Sequence, residues 1–212
     1  KQCGLVLVME PGTRDGAIKT WRKGMAAYQV HITGKASHAG NAPEQGINAI
    51  VELAQQALRI NSLNDLRNGT SVSVTVASGG TTMNVIPAQA QLTIDTRFMT
   101  MAEMERTRDA IRSLQPNLPG AQVRVETLHM RGPMEHNDQM KAAVAQCKAI
   151  GERYGLTVRE DGSGGGSDGN ITASMGITTL DGLGPQGDGL HAVHEHVVIN
   201  SLTQRAVLMA GL

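Results

Sequence analysis

Two stretches far apart in the chain carry the residue types from which proteins build metal centres. Glu10, which precedes a proline, ends the apolar run at residues 4–9, and the stretch GDGLHAVHEHV holds His191, His194 and His196. Carboxylate oxygen and imidazole nitrogen are both ordinary zinc ligands. The spacing does not decide whether these histidines bind a metal, because neither a strand nor a helix places all three on one face. Glu10 could equally be a solvated carboxylate at a strand end.

Two further stretches combine glycine with a polar side chain. GKASHAGNAPEQG holds His38 among small residues, which would let a ligand or another backbone come close, although His38 could also be a plain surface histidine. EDGSGGGSDGN contains the consecutive glycines at 164–166, ahead of Asp168. Such bare backbone is entropically costly to order, so we expect either a turn in which Asp168 caps a helix or main-chain amides exposed to a ligand. The spacing does not match GxxxxGK[ST] or GxGxxG, which disfavours a nucleotide site.

Two more polar side chains stand in a turn or at a strand end. Asn84 precedes Val85-Ile86-Pro87, and Arg97 follows Asp95. Taken singly, each has a structural explanation. An Asx turn accounts for Asn84, and an ion pair with a nearby carboxylate accounts for Arg97.

The composition argues against several classes of partner. The chain has 212 residues, of which 40% are hydrophobic and 2% aromatic, and its formal net charge is zero. It therefore shows neither the basic character that nucleic acid or an anionic membrane requires nor a stacking surface for single strands. No apolar run approaches the roughly 20 residues of a membrane span. Cys3 and Cys147 form no disulfide framework, and the compartment stays open between cytoplasm and periplasm.

The elements that must position these residues include a module between about residues 24 and 126. Alternating apolar residues predict strands near 26–32, 72–76, 90–94 and 123–125. One helix is predicted from about Glu44 and a second from Thr100, which has capping-box spacing to Glu103. The predicted inward stripe of the first helix is Ile47, Ile50, Val51, Ala54, Ala57 and Leu58. The order β-α-β-β-α-β predicts a ferredoxin-like α+β unit with a four-stranded antiparallel sheet and two helices.

The flanking segments predict an α/β layer. Residues 4–9 are apolar throughout, as in a strand buried within a parallel sheet. After Arg131 we predict a helix capped by Asn137 with Tyr154 on its inward face, a strand near 156–159, a brief helix, a strand at 177–180 and a helix from 200. So few strands would make a narrow sheet, and we therefore expect the chain to begin inside a domain.

Taken together, these stretches resemble the dinuclear-zinc exopeptidases, the family of glutamate carboxypeptidase (carboxypeptidase G), aminoacylase and desuccinylase. The landmarks VMEP, GKASHAG, MNVIP, DTR, GGGSD and a glycine-rich turn into His191 occur in that family's order over essentially the whole chain. The resemblance is closest to the glutamate carboxypeptidase branch. It implies that residues 1–22 and 131–212 are the C-terminal part of an α/β catalytic domain, truncated at its N-terminal side. Residues 23–130 would be the inserted lid or dimerisation domain.

The resemblance also implies a role for each candidate residue. Glu10 and His191 would each bind one of two zinc ions, and His38 would polarise the scissile carbonyl in the site of a homodimer partner. The residues expected to contact substrate are Asn84, Arg97, Arg131, Gly165 and Gly166, with Asp168 anchoring the loop. The family's HxD motif, bridging aspartate and glutamate pair, which includes the general base, are not among these 212 residues. We therefore expect this chain alone to bind zinc poorly and to hydrolyse nothing.

Three interpretations stay open. The first is part of a zinc exopeptidase that hydrolyses an amide bond next to a free carboxylate of a small N-acyl amino acid or peptide. The second is another amidase of the same family, acting on N-acyl or N-carbamoyl amino acids. The third is a ferredoxin-like binding or regulatory module without catalysis. A substrate panel separates the first two, and effector binding to the lid alone would favour the third.

Overall fold

The computed structural model describes residues 3–212 and divides the chain into two compact units. Unit 1 consists of the described part of Lys1–Gly24 together with Arg131–Leu212, and unit 2 is Met25–Met130. The strands, in chain order, are β1 Leu5–Leu7, β2 Ile18–Arg22, β3 Gly24–Thr33, β4 Ser37–His38, β5 Ser71–Gly79, β6 Val85–Ile86, β7 Gln89–Phe98, β8 Gln122–Arg131, β9 Glu160–Ser163, β10 Thr178–Leu180, β11 Gly187–Asp188 and β12 His196–Val197. The α-helices are α1 Ala49–Asn61, α2 Met101–Arg112, α3 Asp138–Arg153, α4 Gly169–Ser174 and α5 Ile199–Gly211. None of the helices within residues 3–212 is long and apolar enough to cross a bilayer.

Unit 2 is built on a four-stranded antiparallel sheet with the strand order β5-β7-β3-β8. Its core contains side chains that alternate along β3 and β7, together with residues from both helices. The buried members include Tyr28, Val30, Ile32, Leu92, Ile94, Ile60 and Ile111. The predicted ferredoxin-like unit is therefore confirmed. Its strand periodicity was readable because one face of each strand is buried and the other is polar.

The second helix of this unit also follows its sequence signal. Helix α2 begins after Thr100, whose side chain accepts a hydrogen bond from the backbone N–H of Glu103 at 3.2 Å. Its buried residues are Met104, Thr107 and Ile111. The predicted start is confirmed, because a cap is a local property of the chain.

The inward face of α1 differs from the predicted one. The helix begins at Ala49 rather than near Glu44, because Pro43–Gln45 forms a separate 3-10 turn. Three of its predicted inward side chains are instead exposed. They are Ile50 at 41%, Val51 at 44% and Leu58 at 74%.

Polar side chains occupy buried positions of α1. Glu52 and Gln56 are fully buried, and the Glu52 carboxylate accepts hydrogen bonds from the backbone N–H groups of Asn117 at 3.0 Å and Leu118 at 2.7 Å. Gln56 Nε2 donates to the same carboxylate at 2.6 Å. The loop after α2 leaves these N–H groups to be satisfied by a side chain, and α1 turns Glu52 inward to do so. A sequence pattern that assumes every buried side chain to be apolar therefore predicts the wrong buried face for α1.

Unit 1 contains two parallel strand pairs, β1 with β10 and β2 with β9. Its core gathers the α3 side chains Met140, Val144 and Cys147 with Leu180 and Leu208. Strand β1 lies inside the predicted run, and its side chains are half-buried among the described residues.

Two predicted details of unit 1 are wrong. The strand expected near residues 156–159 is found at Glu160–Ser163, where it pairs with β2. Tyr154 stands at the C-terminal end of α3 and is exposed, because the helix ends at Arg153 before this residue can turn inward. The predicted cap is present, since Asn137 Oδ1 accepts the N–H of Met140 at 2.9 Å.

Candidate functional site

Glu10 lies where the chain leaving β1 meets the loop after β10. The backbone N–H of Gly184 donates to the Glu10 carbonyl oxygen at 2.9 Å, and Pro11 forms a parallel bridge with Gly184. A Cβ atom on Gly184 would lie 2.4 Å from the Met9 carbonyl oxygen and 2.8 Å from that of Glu10. Only glycine permits this approach, which holds the Glu10 backbone in place while its side chain stays exposed.

A buried lysine lies next to this strand end. Lys19 Nζ donates to the Pro11 carbonyl oxygen at 2.9 Å. Burial lowers the pKa of the Lys19 ammonium group and nearby Arg22 lowers it further, whereas Asp181 and Glu10 act in the opposite direction. The Glu10 region thus combines an exposed carboxylate with a buried cation.

His191 has an unusual backbone conformation. Its φ angle is 65°, and it is the one non-glycine residue with positive φ within residues 3–212. The turn around it is closed by hydrogen bonds from Ala192 N–H to the Gly189 oxygen and from Glu195 N–H to the Ala192 oxygen. Positive φ costs histidine less than most side chains, and such conformations cluster at ligand sites. The turn leaves the imidazole exposed.

One of the other two histidines of this stretch, His196, has a local partner. His196 belongs to β12, opposite Asp188, and its Nδ1 lies 3.0 Å from the carbonyl oxygen of His194. No group of three or more His, Cys, Asp or Glu side chains gathers in a metal-binding arrangement within residues 3–212. Zinc takes three or four protein ligands. Glu10 and His191 have suitable donor atoms and are accessible, so they fit as part of a ligand set.

Residues 163–168, the glycine loop, are held by a buried ion pair. Arg22 and Asp181 are both buried and join through two hydrogen bonds, at 2.7 Å from Nε and 3.1 Å from Nη2. Arg22 Nη1 also donates to the Gly165 carbonyl oxygen at 3.0 Å, and Ser167 Oγ donates to Asp181. Neither residue is recognisable as functional from the sequence, because the two stand 159 positions apart and belong to no motif.

The remaining anchors of the glycine loop are an amide and a half-buried arginine. Asn170 Oδ1 accepts the Ser167 N–H at 3.0 Å while its Nδ2 donates to the Gly132 carbonyl at 2.9 Å, and Arg131 Nη1 donates to the Ser167 carbonyl at 3.0 Å. Asp168 occupies the N-cap position of α4 but makes no capping hydrogen bond, and its side chain is 88% exposed. The side-chain cap expected of Asp168 is therefore absent, and its ion pair among the described residues is with Arg131, at 3.6 Å. An amide can donate and accept at once, whereas a carboxylate only accepts.

The outer side of the glycine loop is open. A Cβ atom on Gly164 would have no neighbour within 4 Å, and one on Gly165 would meet only Ser163 Oγ, at 3.6 Å. Neither glycine has a positive φ. Packing and backbone conformation within the described chain therefore do not require glycine at these two positions.

His38 is oriented by the backbone that follows it. It pairs with Val85 across the β4–β6 ladder, and its Nδ1 accepts hydrogen bonds from the N–H groups of Gly40 and Asn41, both at 3.1 Å. Because Nδ1 acts as the acceptor, the neutral ring carries its proton on Nε2. The Ala39 N–H donates to the Asn84 carbonyl oxygen at 2.9 Å. His38 thus presents an exposed N–H donor beside the Asn84 loop.

Arg97 lies near the end of β7 in the four-stranded sheet, whereas His38 belongs to the separate two-stranded β4–β6 ladder. Its guanidinium forms a two-point ion pair with Asp95, at 2.8 and 3.0 Å. β6 leads directly into β7, which begins at Gln89, and Arg97 follows eight residues later. At about 3.4 Å per residue, the strand carries Arg97 roughly 27 Å from its start. Within one chain, the structure brings His38 and Asn84 together and separates both from Arg97.

Comparison with known proteins identifies unit 2. Residues 20–118 match the M20 family of peptidase dimerisation domains. The chain is 33% identical over its whole length to carboxypeptidase G2 from a Pseudomonas strain, and it covers 52% of that protein. It is also 41% identical to a p-aminobenzoyl-glutamate hydrolase chain of Escherichia coli over 71 residues, which are 33% of this chain and 16% of the relative.

A solved structure shares the fold. The aminopeptidase PepT from Bacillus cereus superposes with a TM-score of 0.78 and 24% identity, and the match covers 100% of this chain and 57% of that one. The chain spans about half the length of carboxypeptidase G2 and of PepT. The likeness to PepT shows the architecture.

Proposed function

Because this chain belongs to the M20 peptidase family through the dimerisation domain at residues 20–118, we propose that the complete protein hydrolyses an amide bond next to a free carboxylate, as a zinc-dependent glutamate carboxypeptidase. The observation that carries the proposal is His38, whose exposed Nε2–H is oriented by two backbone donors on the other ring nitrogen. A preorganised donor of this kind suits a carbonyl oxygen that becomes negatively charged during hydrolysis.

In this proposal Glu10 and His191 each supply one ligand to a zinc ion. Zinc, when bound, supplies Lewis acidity and a water of lowered pKa. The close approach of Gly184 to the Glu10 backbone positions the carboxylate, and the positive φ of His191 turns its ring outward. The other ligands and the general base come from residues outside this chain, so the 212-residue chain alone hydrolyses nothing.

The open side of the glycine loop is proposed to hold the substrate's free carboxylate. Arg22 and Asp181 fix the carbonyl side of the loop, and this leaves the side without Cβ atoms at Gly164 and Gly165 available to a ligand. Arg131 adds a cation at the same loop. Main-chain amides together with a guanidinium form a common carboxylate-binding arrangement.

The separation of His38 from Arg97 supports a site shared between two copies. His38 lies beside the Asn84 loop, which leads into the start of β7, whereas Arg97 lies about 27 Å along that strand, so we do not expect one lid to supply both side chains to a single pocket. We therefore assign His38 and Asn84 to the site of the partner subunit. Arg97 would serve the site of its own subunit, exchanging its contact with Asp95 for the substrate.

The dimer surface is proposed to consist of β5 and the outer face of α1. β5 is an edge strand that pairs with β7 on one side, and its Val76 is 56% exposed. The exposed apolar side chains Ile50, Val51 and Leu58 of α1 would be covered by the same contact. Exposed strand edges and apolar helix faces favour association.

The test is hydrolysis by the complete protein, measured with and without zinc on a panel of N-acyl glutamate, other N-acyl amino acids, N-carbamoyl amino acids and tripeptides. We expect zinc-dependent release of glutamate from the N-acyl glutamate, and a loss of about 100-fold in kcat for His38→Gln. A preference for N-carbamoyl substrates would instead support the second interpretation, an amidase of the same family that acts on N-acyl or N-carbamoyl amino acids. Absence of hydrolysis across the panel would overturn it.

Complementation tests the shared site. Mixed dimers of His38→Gln and Arg97→Gln subunits contain one site with both native side chains. Half of the randomly assembled dimers are mixed, and each of these has one intact site out of two. We therefore expect an equal mixture to regain about a quarter of wild-type activity, far above the residual activity of either variant alone. Activity no higher than that of the separate variants would place both residues in the site of one subunit.

A further inference from the structure

A cavity of about 210 Å³ in unit 1 lies apart from the residues assigned above. Leu156, Val158 and Leu208 form its apolar wall, Gln186 and Gln204 add side-chain amides, and Arg205 lies among them. Arg205 belongs to α5 and is 7% exposed. The cavity therefore combines a nearly buried cation with apolar and amide surface.

Arg205 makes one hydrogen bond within residues 3–212. Its Nη2 donates to the carbonyl oxygen of Gly16, and it lies so close to Gly12 that a Cβ atom there would be 2.9 Å from Nη2. Glycine at position 12 thus makes room for the guanidinium. A guanidinium has five N–H donors. One neutral acceptor leaves most of that donor capacity unused.

Two acidic residues that are close in sequence to the residues lining the cavity form ion pairs with other arginines. Asp15 forms an ion pair with Arg159 at 3.1 Å, and Asp188 forms one with Arg14 at 3.5 Å. Burial lowers the pKa of Arg205, which expresses the cost of holding this charge away from water. Among the described residues, the group that acts against this lowering of the pKa is the buried Cys147 thiol, and no carboxylate does so. Buried charges are ordinarily balanced by a counterion.

We infer that the cavity beside Arg205 binds a small oxyanion, a phosphate or a short carboxylate, which pairs with the guanidinium and accepts hydrogen bonds from the Gln186 and Gln204 amides. Guanidinium groups bind both carboxylate and phosphate through two parallel hydrogen bonds. The volume accommodates one such ion with some water, since water occupies about 30 Å³ per molecule in the liquid.

Thermal unfolding of the complete protein tests this site, with sodium phosphate or sodium acetate added at a constant ionic strength set by sodium chloride. At ten times its Kd, an anion raises the folding constant about elevenfold, which corresponds to a Tm rise of about 1.5 °C for a complete protein about twice the length of this chain. A larger rise with phosphate assigns phosphate as the ligand, and a larger rise with acetate assigns a carboxylate. No rise with either anion overturns the inference.

Gln204→Glu is the primary variant, because Arg205→Gln removes a buried side chain and risks unfolding. A carboxylate at position 204 supplies a tethered negative charge at the cavity, so we expect the anion-dependent Tm rise to disappear. Gln146→Glu, at an exposed position of α3, is the matched control and should keep the full rise. A rise retained in Gln204→Glu would mean that the anion binds elsewhere, which also overturns the inference.

Discussion

Replacing Gly165 by alanine separates the structural and functional explanations of the glycine loop. The added methyl group would have one neighbour within 4 Å, Ser163 Oγ at 3.6 Å, and the backbone has a φ that alanine adopts. The substitution also reduces the freedom of the unfolded chain, which stabilises a compatible site by about 0.4–1 kcal/mol. We therefore expect the Tm of the complete protein to be unchanged or raised by up to about 1 °C.

The same methyl group would occupy the space through which a substrate carboxylate reaches the loop amides. Loss of one hydrogen bond to a charged group costs about 1.5–3 kcal/mol, so kcat/KM should fall roughly 10- to 150-fold. The assay pairs thermal unfolding of the complete protein with the rate of glutamate release. Gly169→Ala is the control, because its Cβ would lie 2.8 Å from Asp181 Oδ2 and should lower Tm. A stable Gly165→Ala variant with wild-type kcat/KM would refute the proposed use of the loop.

Three further predictions concern positioning and stability. Gly184→Ala should reduce both the zinc affinity and the Tm, because the added Cβ would overlap the Glu10 carbonyl group. Metal titration measures the zinc affinity, and thermal unfolding measures the Tm. An unchanged zinc affinity would contradict the role given to this contact. Burial alone would raise the pKa of Glu52, but hydrogen bonds from Gln56 and the loop N–H groups outweigh it and hold the pKa below its usual 4.5. Its stabilisation is therefore present above about pH 4.5 and is lost as the pH falls through the lowered value. Glu52→Gln should cost about 2 kcal/mol at neutral pH and flatten the acid limb of a denaturant-based stability profile, whereas a parallel downward shift of the whole profile would argue against this account. Thr100→Ala should lower the free energy of unfolding by about 1 kcal/mol through loss of the α2 cap, and chemical denaturation with unchanged stability would show that the cap is dispensable.

The sequence predicted the elements whose signals are local. Alternation along β3 and β7 marked one-sided strands, and the Thr100 cap marked the start of α2. It also selected candidate residues by chemical type. The roles of Glu10, His191 and the loop glycines stay proposals, because ligand binding depends on groups beyond the described chain.

Other features were decided by tertiary structure alone. The buried face of α1 follows from the N–H groups that Glu52 satisfies more than 60 residues away, and the glycine loop depends on an Arg22–Asp181 pair whose members stand 159 positions apart. Likewise, only the strand pairing shows that His38 lies beside Asn84, in a separate ladder from the sheet that contains Arg97. Residue types and short periodicities can be read directly from the sequence. The pairing of buried polar groups depends on which distant segments pack together in the fold, and a local sequence pattern does not contain that information.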